Sequence, residues 1–175
     1  PLLLPNNVDS LRNYFSQVSL IDHGVGQIVQ SLDRLGLDNN TIVIYTADHG
    51  FSLGHNGVWG HGAAAFPASA HRPSYHIPLI VAGGPVQAAG PQSSLVSQID
   101  LFPTLTSLVG AQAAAPSLSS SAQDLAPTLT KGATPTADAV FMEQEETRAI
   151  RTEDWLYAAR FKGAPSFTMR DELYD

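Results

Sequence analysis

Asp48 and His49 stand side by side in the triplet Asp48-His49-Gly50, directly after the run Thr41-Ile42-Val43-Ile44-Tyr45-Thr46. A carboxylate and an imidazole at the end of a rigid strand are two good ligands for a divalent cation, and Gly50 lets the backbone turn sharply beside them. Ligands of open α/β sheets bind at the carboxyl ends of strands, where this pair falls. Two ligands do not complete a site, so at least one or two more must come from elsewhere. The same residues also have a plainer reading, with Asp48 capping the next loop and His49 an ordinary polar neighbour. Twelve positions past His49 comes His61, in Val58-Trp59-Gly60-His61-Gly62, an aromatic beside a possible cation framed by glycines.

Five of the six histidines fall within residues 47–76. His71, Arg72 and His76 could bind a substrate anion, although solvated loop residues are the default reading, and His55 and Asn56 read as loop polars. His23 follows Asp22 on a helical stretch, where neighbours point about 100° apart and converge poorly on one ion. It belongs at a surface or in support of a site.

The elements that must position these groups are legible from periodicity. Val8, Leu11, Phe15, Val18, Ile21, Val25, Ile28, Leu32 and Leu35 step by threes and fours, predicting a long amphipathic helix over residues 8–35. Asn6 or Asn7 can cap its start and Gly36 can end it. Gly24 and Gly26 weaken its middle, which predicts a kink or a close packing contact there. The run 41–46 reads as a strand buried on both faces. Helix, turn and strand then form the second half of a βαβ unit, which predicts a largely parallel sheet covered by helices.

Residues 47–76 show neither period and read as a long functional loop. Residues 77–82 read as a second buried strand, with Pro78 near its start. A helix is expected over 101–109, with Asp100 as N-cap, Gly110 past its end, and Leu101, Leu105 and Leu108 on its apolar face. Residues 111–138, rich in Ala, Ser, Thr and Pro, read as a loosely ordered connection within a body spanning 1–138. Residues 139–142 read as a strand, and 148–152 with 155–161 as a hairpin around Glu153 and Asp154, giving a small antiparallel β-rich piece over 139–175. The fold class is therefore α/β.

Composition bounds the partners. The 175 residues are 43% hydrophobic, enough for a sizeable core, and only 14% charged. With 9 basic against 16 acidic residues and no basic run, the chain does not suit a nucleic-acid backbone. No stretch approaches the roughly 20 apolar residues that cross a bilayer, and the opening residues lack the features of a signal peptide. The absence of Cys excludes disulfides, thiolate metal sites and cysteine-derived nucleophiles within these residues. Beginning without Met and ending on Glu172-Leu173-Tyr174-Asp175, the chain reads as an excerpt of a longer protein.

Several segments together resemble the sulfatase family of the alkaline-phosphatase-like superfamily. They are Val25-Gly26, Leu35-Gly36-Leu37, Asn40-Thr41-Ile42-Val43, Thr46-Ala47-Asp48-His49-Gly50, Leu53-Gly54 and Gly57-Val58-Trp59-Gly60. Ile77-Pro78-Leu79-Ile80-Val81, residues 96–110, Ala149-Ile150-Arg151-Thr152 and Glu172-Leu173-Tyr174-Asp175 continue the series in family order. The resemblance implies that residues 1–138 are the C-terminal half of a sulfatase-type core, acting on a sulfate ester. It implies that Asp48 and His49 ligate the active-site metal, calcium in most sulfatases, with manganese or zinc also suited to an imidazole ligand. It places His61 where many members have a Lys that contacts the sulfate and the leaving oxygen.

Some residues depart from the family. Ala63-Ala64-Ala65-Phe66-Pro67 stands where a Tyr and an acidic residue commonly follow that Lys, and the distance on to Ile77 is longer than usual. His55 and Asn56 replace a common Glu and His. The formylglycine nucleophile of the family arises from a Cys or Ser in a motif with Pro two and Arg four positions on, and no such motif occurs here. The resemblance therefore implies a nucleophile on other residues and no turnover by these residues alone. Ser74-Tyr75-His76-Ile77-Pro78-Leu79-Ile80 also resembles phosphonate and phosphate ester hydrolases of the superfamily, and a non-catalytic remnant is a third reading.

Overall fold

The expected apolar stripe does form a helix, α1, Val8–Arg34. In the computed structural model, residues 7–87, 90–111, 121–161 and 170–175 are described. The chain divides into two compact units, Pro1–Pro85 and Val86–Asp175.

In the first unit, the Asn7 side chain accepts from the Ser10 backbone N–H at 3.0 Å and caps α1. Gly36, at φ 66°, ends it by donating to Asp33 O while Leu37 donates to Leu32 O, both at 2.9 Å, so the last carbonyls are satisfied by a Schellman turn. The close packing contact expected at Gly24 and Gly26 is absent among the described residues. The helix runs through both, and a Cβ at either would meet nothing within 4 Å among the described residues.

Two strands accompany the helix, β1, Val43–Thr46, and β4, Leu79–Ala82, paired from Val43↔Ala82 to Thr46↔Leu79. They are antiparallel, as is every ladder among the described residues, so the expected parallel arrangement is not seen in these strands. The chain leaves β1 at Thr46 and re-enters β4 directly opposite, so no crossover carries it to the other end of the sheet. The strands are also less buried than expected. β1 is half-buried throughout and Ile80 is 59% exposed. Between α1 and these strands lies an apolar groove of about 660 Å³ lined by Val18, Ile21, Val25, Val29, Tyr45 and Ile80.

The excursion 47–78 carries more structure than its sequence suggests. β2, Ser52–Leu53, and β3, Trp59–Gly60, form a small hairpin around a tight turn at His55–Gly57. A single helical turn, α2, Arg72–Tyr75, precedes β4.

In the second unit, α3, Leu101–Leu108, follows a 3₁₀ turn at Gln98–Asp100. Ser97 rather than Asp100 is the capping residue, since the two form a capping box in which the Asp100 carboxylate reaches back to the Ser97 N–H at 2.8 Å. The carboxylate, 1% exposed, also accepts from the Gln123 backbone N–H at 2.8 Å. The buried residue of α3 is Thr104, while Leu105 is exposed. Thr104 Oγ1 donates to Asp100 O at 2.6 Å and accepts from Leu125 N at 2.8 Å. Leu125 and Ala126 begin α4, Ala126–Lys131, an ordered and partly buried helix inside the stretch 111–138 expected to be loose. Within that stretch, 112–120 lie outside the described residues.

The expected antiparallel C-terminal piece is a four-stranded sheet of β5, Val140–Gln144, β6, Thr147–Arg151, β7, Leu156–Arg160, and β8, Glu172–Tyr174. The β6–β7 hairpin turns at Glu153 and Asp154 as its sequence suggests. On one face the Arg160 guanidinium, its side chain only 3% exposed, pairs with Glu172 at 2.7 Å and bonds Thr147. The register aligns Phe141, Ile150, Tyr157 and Leu173 across the other face.

Candidate active site

Asp48 and His49 lie just past the carboxyl end of β1, on the side from which the excursion 47–78 departs. The β2–β3 hairpin returns the chain, pairing Ser52 with Gly60 and Leu53 with Trp59, and so brings His61 back to His49. The two imidazole rings are 5.0 Å apart and tilted by 43°. Gly54, at φ 92°, allows the hairpin to fold onto the Trp59 indole, which lies 3.0 Å from where its Cβ would be. Phe51 stacks on Tyr14 of α1 with ring centroids 5.5 Å apart, tying the start of the excursion to the helix.

Hydrogen bonds give the Nδ1 atoms of the two imidazoles opposite roles. His49 Nδ1 lies 2.9 Å from the Gly50 carbonyl oxygen, which can only accept, so Nδ1 carries a hydrogen and, in the neutral ring, Nε2 keeps the lone pair. That Nε2 is 3.6 Å from Asp48 Oδ2, while Asp48 Oδ1 accepts from the His49 N–H at 2.9 Å. With the ring neutral, Nε2 and Oδ2 are two neighbouring electron-pair donors that one cation could bridge. As a direct ion pair the two would contribute little, because the His49 and Asp48 side chains are 51% and 86% exposed. Among the described residues no cluster of three or more His, Cys, Asp or Glu could hold a metal.

His61 is arranged the other way. It caps the short 3₁₀ turn Gly62–Ala64, its Nδ1 accepting from the Ala63 N–H at 3.2 Å. Nδ1 is therefore unprotonated and Nε2 carries the hydrogen. His49 offers a lone pair and His61 an N–H donor.

Two glycines make this arrangement possible, and neither contact is visible in the sequence. Gly50 donates to Ser74 O at 2.9 Å, and a Cβ on Gly50 would lie 2.1 Å from the Pro73 carbonyl oxygen. Gly62 is packed by Ser69 O at 3.1 Å, Ser74 Cβ at 3.4 Å and the Tyr75 hydroxyl at 3.7 Å from a Cβ position. The segment 69–75 therefore rests against the residue after His49 and the residue after His61. Ser74 is 2% exposed, and its Oγ has no hydrogen-bond partner among the described residues.

Three other histidines belong to other elements. His55 and Asn56 form the exposed hairpin turn, with Asn56 in the left-handed region at φ 54°. His23 is exposed on α1, 3.1 Å from Gln27. His76 accepts at Nδ1 from Arg72 Nε at 3.0 Å, and partial burial, then the Arg72 charge, push its pKa below the ordinary value.

Residues 4–111 match the sulfatase family model. The chain belongs to the sulfatase family. This sulfatase chain is 34% identical over 101 residues to the choline-sulfatase of Rhizobium meliloti (strain 1021), an overlap of 58% of this chain and 18% of that protein. It is 34% identical over 121 residues to human iduronate 2-sulfatase, covering 58% of this chain and 22% of the relative. Among solved structures, BT4656 in complex with its substrate D-glucosamine-2-N,6-O-disulfate superposes with a TM-score of 0.76 at 25% identity, covering 94% of this chain and 33% of that one. The sulfatase chain thus spans about a fifth of the curated relatives and a third of the solved one. Asp48, His49 and His61 all fall in the matched region.

Proposed function

We propose that this chain supplies part of the active site of a sulfuric ester hydrolase, with Asp48 and His49 as metal ligands and His61 as a donor to the departing oxygen. The observation that carries the reading is the juxtaposition of the Asp48 carboxylate, the His49 ring and, with ring centroids 5.0 Å apart, the His61 ring, whose Nδ1 accepts from Ala63 and leaves the hydrogen on Nε2. A carboxylate with a neutral imidazole fits a divalent cation as two of its ligands, calcium by family resemblance. When bound, that ion would polarise the ester oxygens as they gain charge. The His61 N–H would stabilise the negative charge on the oxygen released when the S–O bond breaks. The remaining ligands and the formylglycine nucleophile belong to residues outside this chain, which contains no motif that would generate one.

The test uses the full-length protein with 4-nitrophenyl sulfate. Asp48→Ala and His61→Ala are each expected to lower kcat/KM by roughly 10²–10³. Normal turnover by both variants would overturn the assignment, and faster hydrolysis of an aryl phosphate or phosphonate would favour the rival ester class. Calcium, manganese or zinc should raise the melting temperature, and the rise should vanish in Asp48→Ala. No shift with any divalent ion would favour a non-catalytic role.

A further inference from the structure

The chain carries 16 Asp and Glu residues, yet none lies between His49 and Ile99. Arg72 is the sole Lys or Arg between Leu35 and Thr130, and it stands in that carboxylate-free stretch with five of the six histidines. In a chain with a net charge of −7, Arg72 is therefore the one permanently charged cation between Asp48 and Asp100.

The fold then ties the turn that opens with Arg72 to the residue after His49. Arg72 opens the α2 turn, whose next residues are pinned to the residue after His49 by the Gly50 N–H to Ser74 O bond and the Pro73 carbonyl against Gly50. Standard bond lengths along that route put the Arg72 Cα no more than about 10 Å from the Gly50 Cα. Arg72 Nε is engaged by His76 Nδ1 at 3.0 Å, and His76 N donates to Arg72 O at 2.8 Å, so the guanidinium is held on its own turn. Its two terminal nitrogens have no partner among the described residues, and no carboxylate there pairs with it. A permanently charged planar fork, held at one nitrogen and open at two, suits bidentate capture of a sulfate or carboxylate.

We infer that Arg72 anchors a second anion subsite beside Asp48, His49 and His61, and that the ester handled there carries a further anionic group on its organic portion. The inference rests on the sulfatase reading for the location of the scissile group, and on Arg72 and its anchoring for the second charge.

The two are tested separately in the full-length protein with calcium. Turnover of phenyl sulfate reports on the sulfatase reading. Calorimetric titration with 4-sulfobenzoate and benzenesulfonate reports on Arg72, because these sulfonates bind without being hydrolysed and differ by one carboxylate. The unaltered protein is expected to prefer 4-sulfobenzoate by about tenfold, the scale of one charge-assisted contact. Arg72→Gln should bring the ratio of the two affinities close to one, and Arg72→Lys should restore part of it. Equal affinities in the unaltered protein, a preference that survives Arg72→Gln, or equal weakening of both probes would overturn the inference.

Discussion

His49 Nδ1 gives its hydrogen to the Gly50 carbonyl, whereas His61 Nδ1 receives one from Ala63, so a backbone contact beside each ring decides what its far nitrogen presents. An amide N–H can stand in for the second function. His61→Gln, which keeps an N–H near the position of Nε2, is expected to retain more kcat/KM than His61→Ala, by roughly tenfold. His49→Gln separates the metals: a glutamine amide oxygen suits calcium, so metal stabilisation should survive it with calcium, whereas zinc would lose its preferred imidazole. Gly50 is equally specific. A methyl group there would sit 2.1 Å from a backbone oxygen, so Gly50→Ala must displace either α2 or the turn bearing His49. The expected cost is about 1–3 kcal/mol in chemical denaturation, together with loss of stabilisation by added calcium.

Residue types announced the chemistry, but the elements that join them were only partly legible. The long helix, both core strands and the β6–β7 hairpin follow from period and turn residues. The β2–β3 hairpin does not, because strands of two residues each are too short to show a period. Only the glycines at 54 and 57 hinted at it. Without it, the five-ångström approach of His49 and His61 could not be read from a spacing of twelve residues. The antiparallel β1–β4 pairing is not legible, because a helix-turn-strand sequence does not reveal where the chain goes after the strand. Helix interiors offer a direct contrast with Gly50. Gly24→Ala meets open space, so it should stabilise α1 by about 0.5–1 kcal/mol. In the second unit, Asp100→Ala removes the acceptor from the Ser97 and Gln123 N–H groups and should cost about 2–4 kcal/mol. Across β7 and β8, the Tyr157 hydroxyl and then the Arg160 N–H hold the Asp171 carboxyl below its ordinary value. The stabilisation from this link is present above the ordinary carboxylate range and is lost as pH falls through the lowered value. By NMR titration, Tyr157→Phe should move the Asp171 midpoint back upward.

At the scale of the whole chain, apolar surface lies open in each unit. Ile21, Val29 and Ile80 border the groove of the first, and Phe141, Tyr157 and Leu173 form the exposed row of the second. Continuous apolar surface of this kind marks an association face. The 175-residue chain alone is expected to bind a hydrophobic dye and to elute above its 18.6 kDa mass, and Ile80→Lys should weaken both signals. Self-association unchanged by that substitution would point away from the groove. The Thr46↔Leu79 pairing has a further consequence. Because the excursion leaves and rejoins the sheet at one point, the cost of closing it depends only weakly on its length: half a dozen residues added to a loop of about 30 cost roughly 0.2 kcal/mol. Segments could be lengthened or exchanged between His61 and Ile77 with the strand register untouched, making this stretch a replaceable cassette through which relatives can diverge in what they recognise while sharing one scaffold.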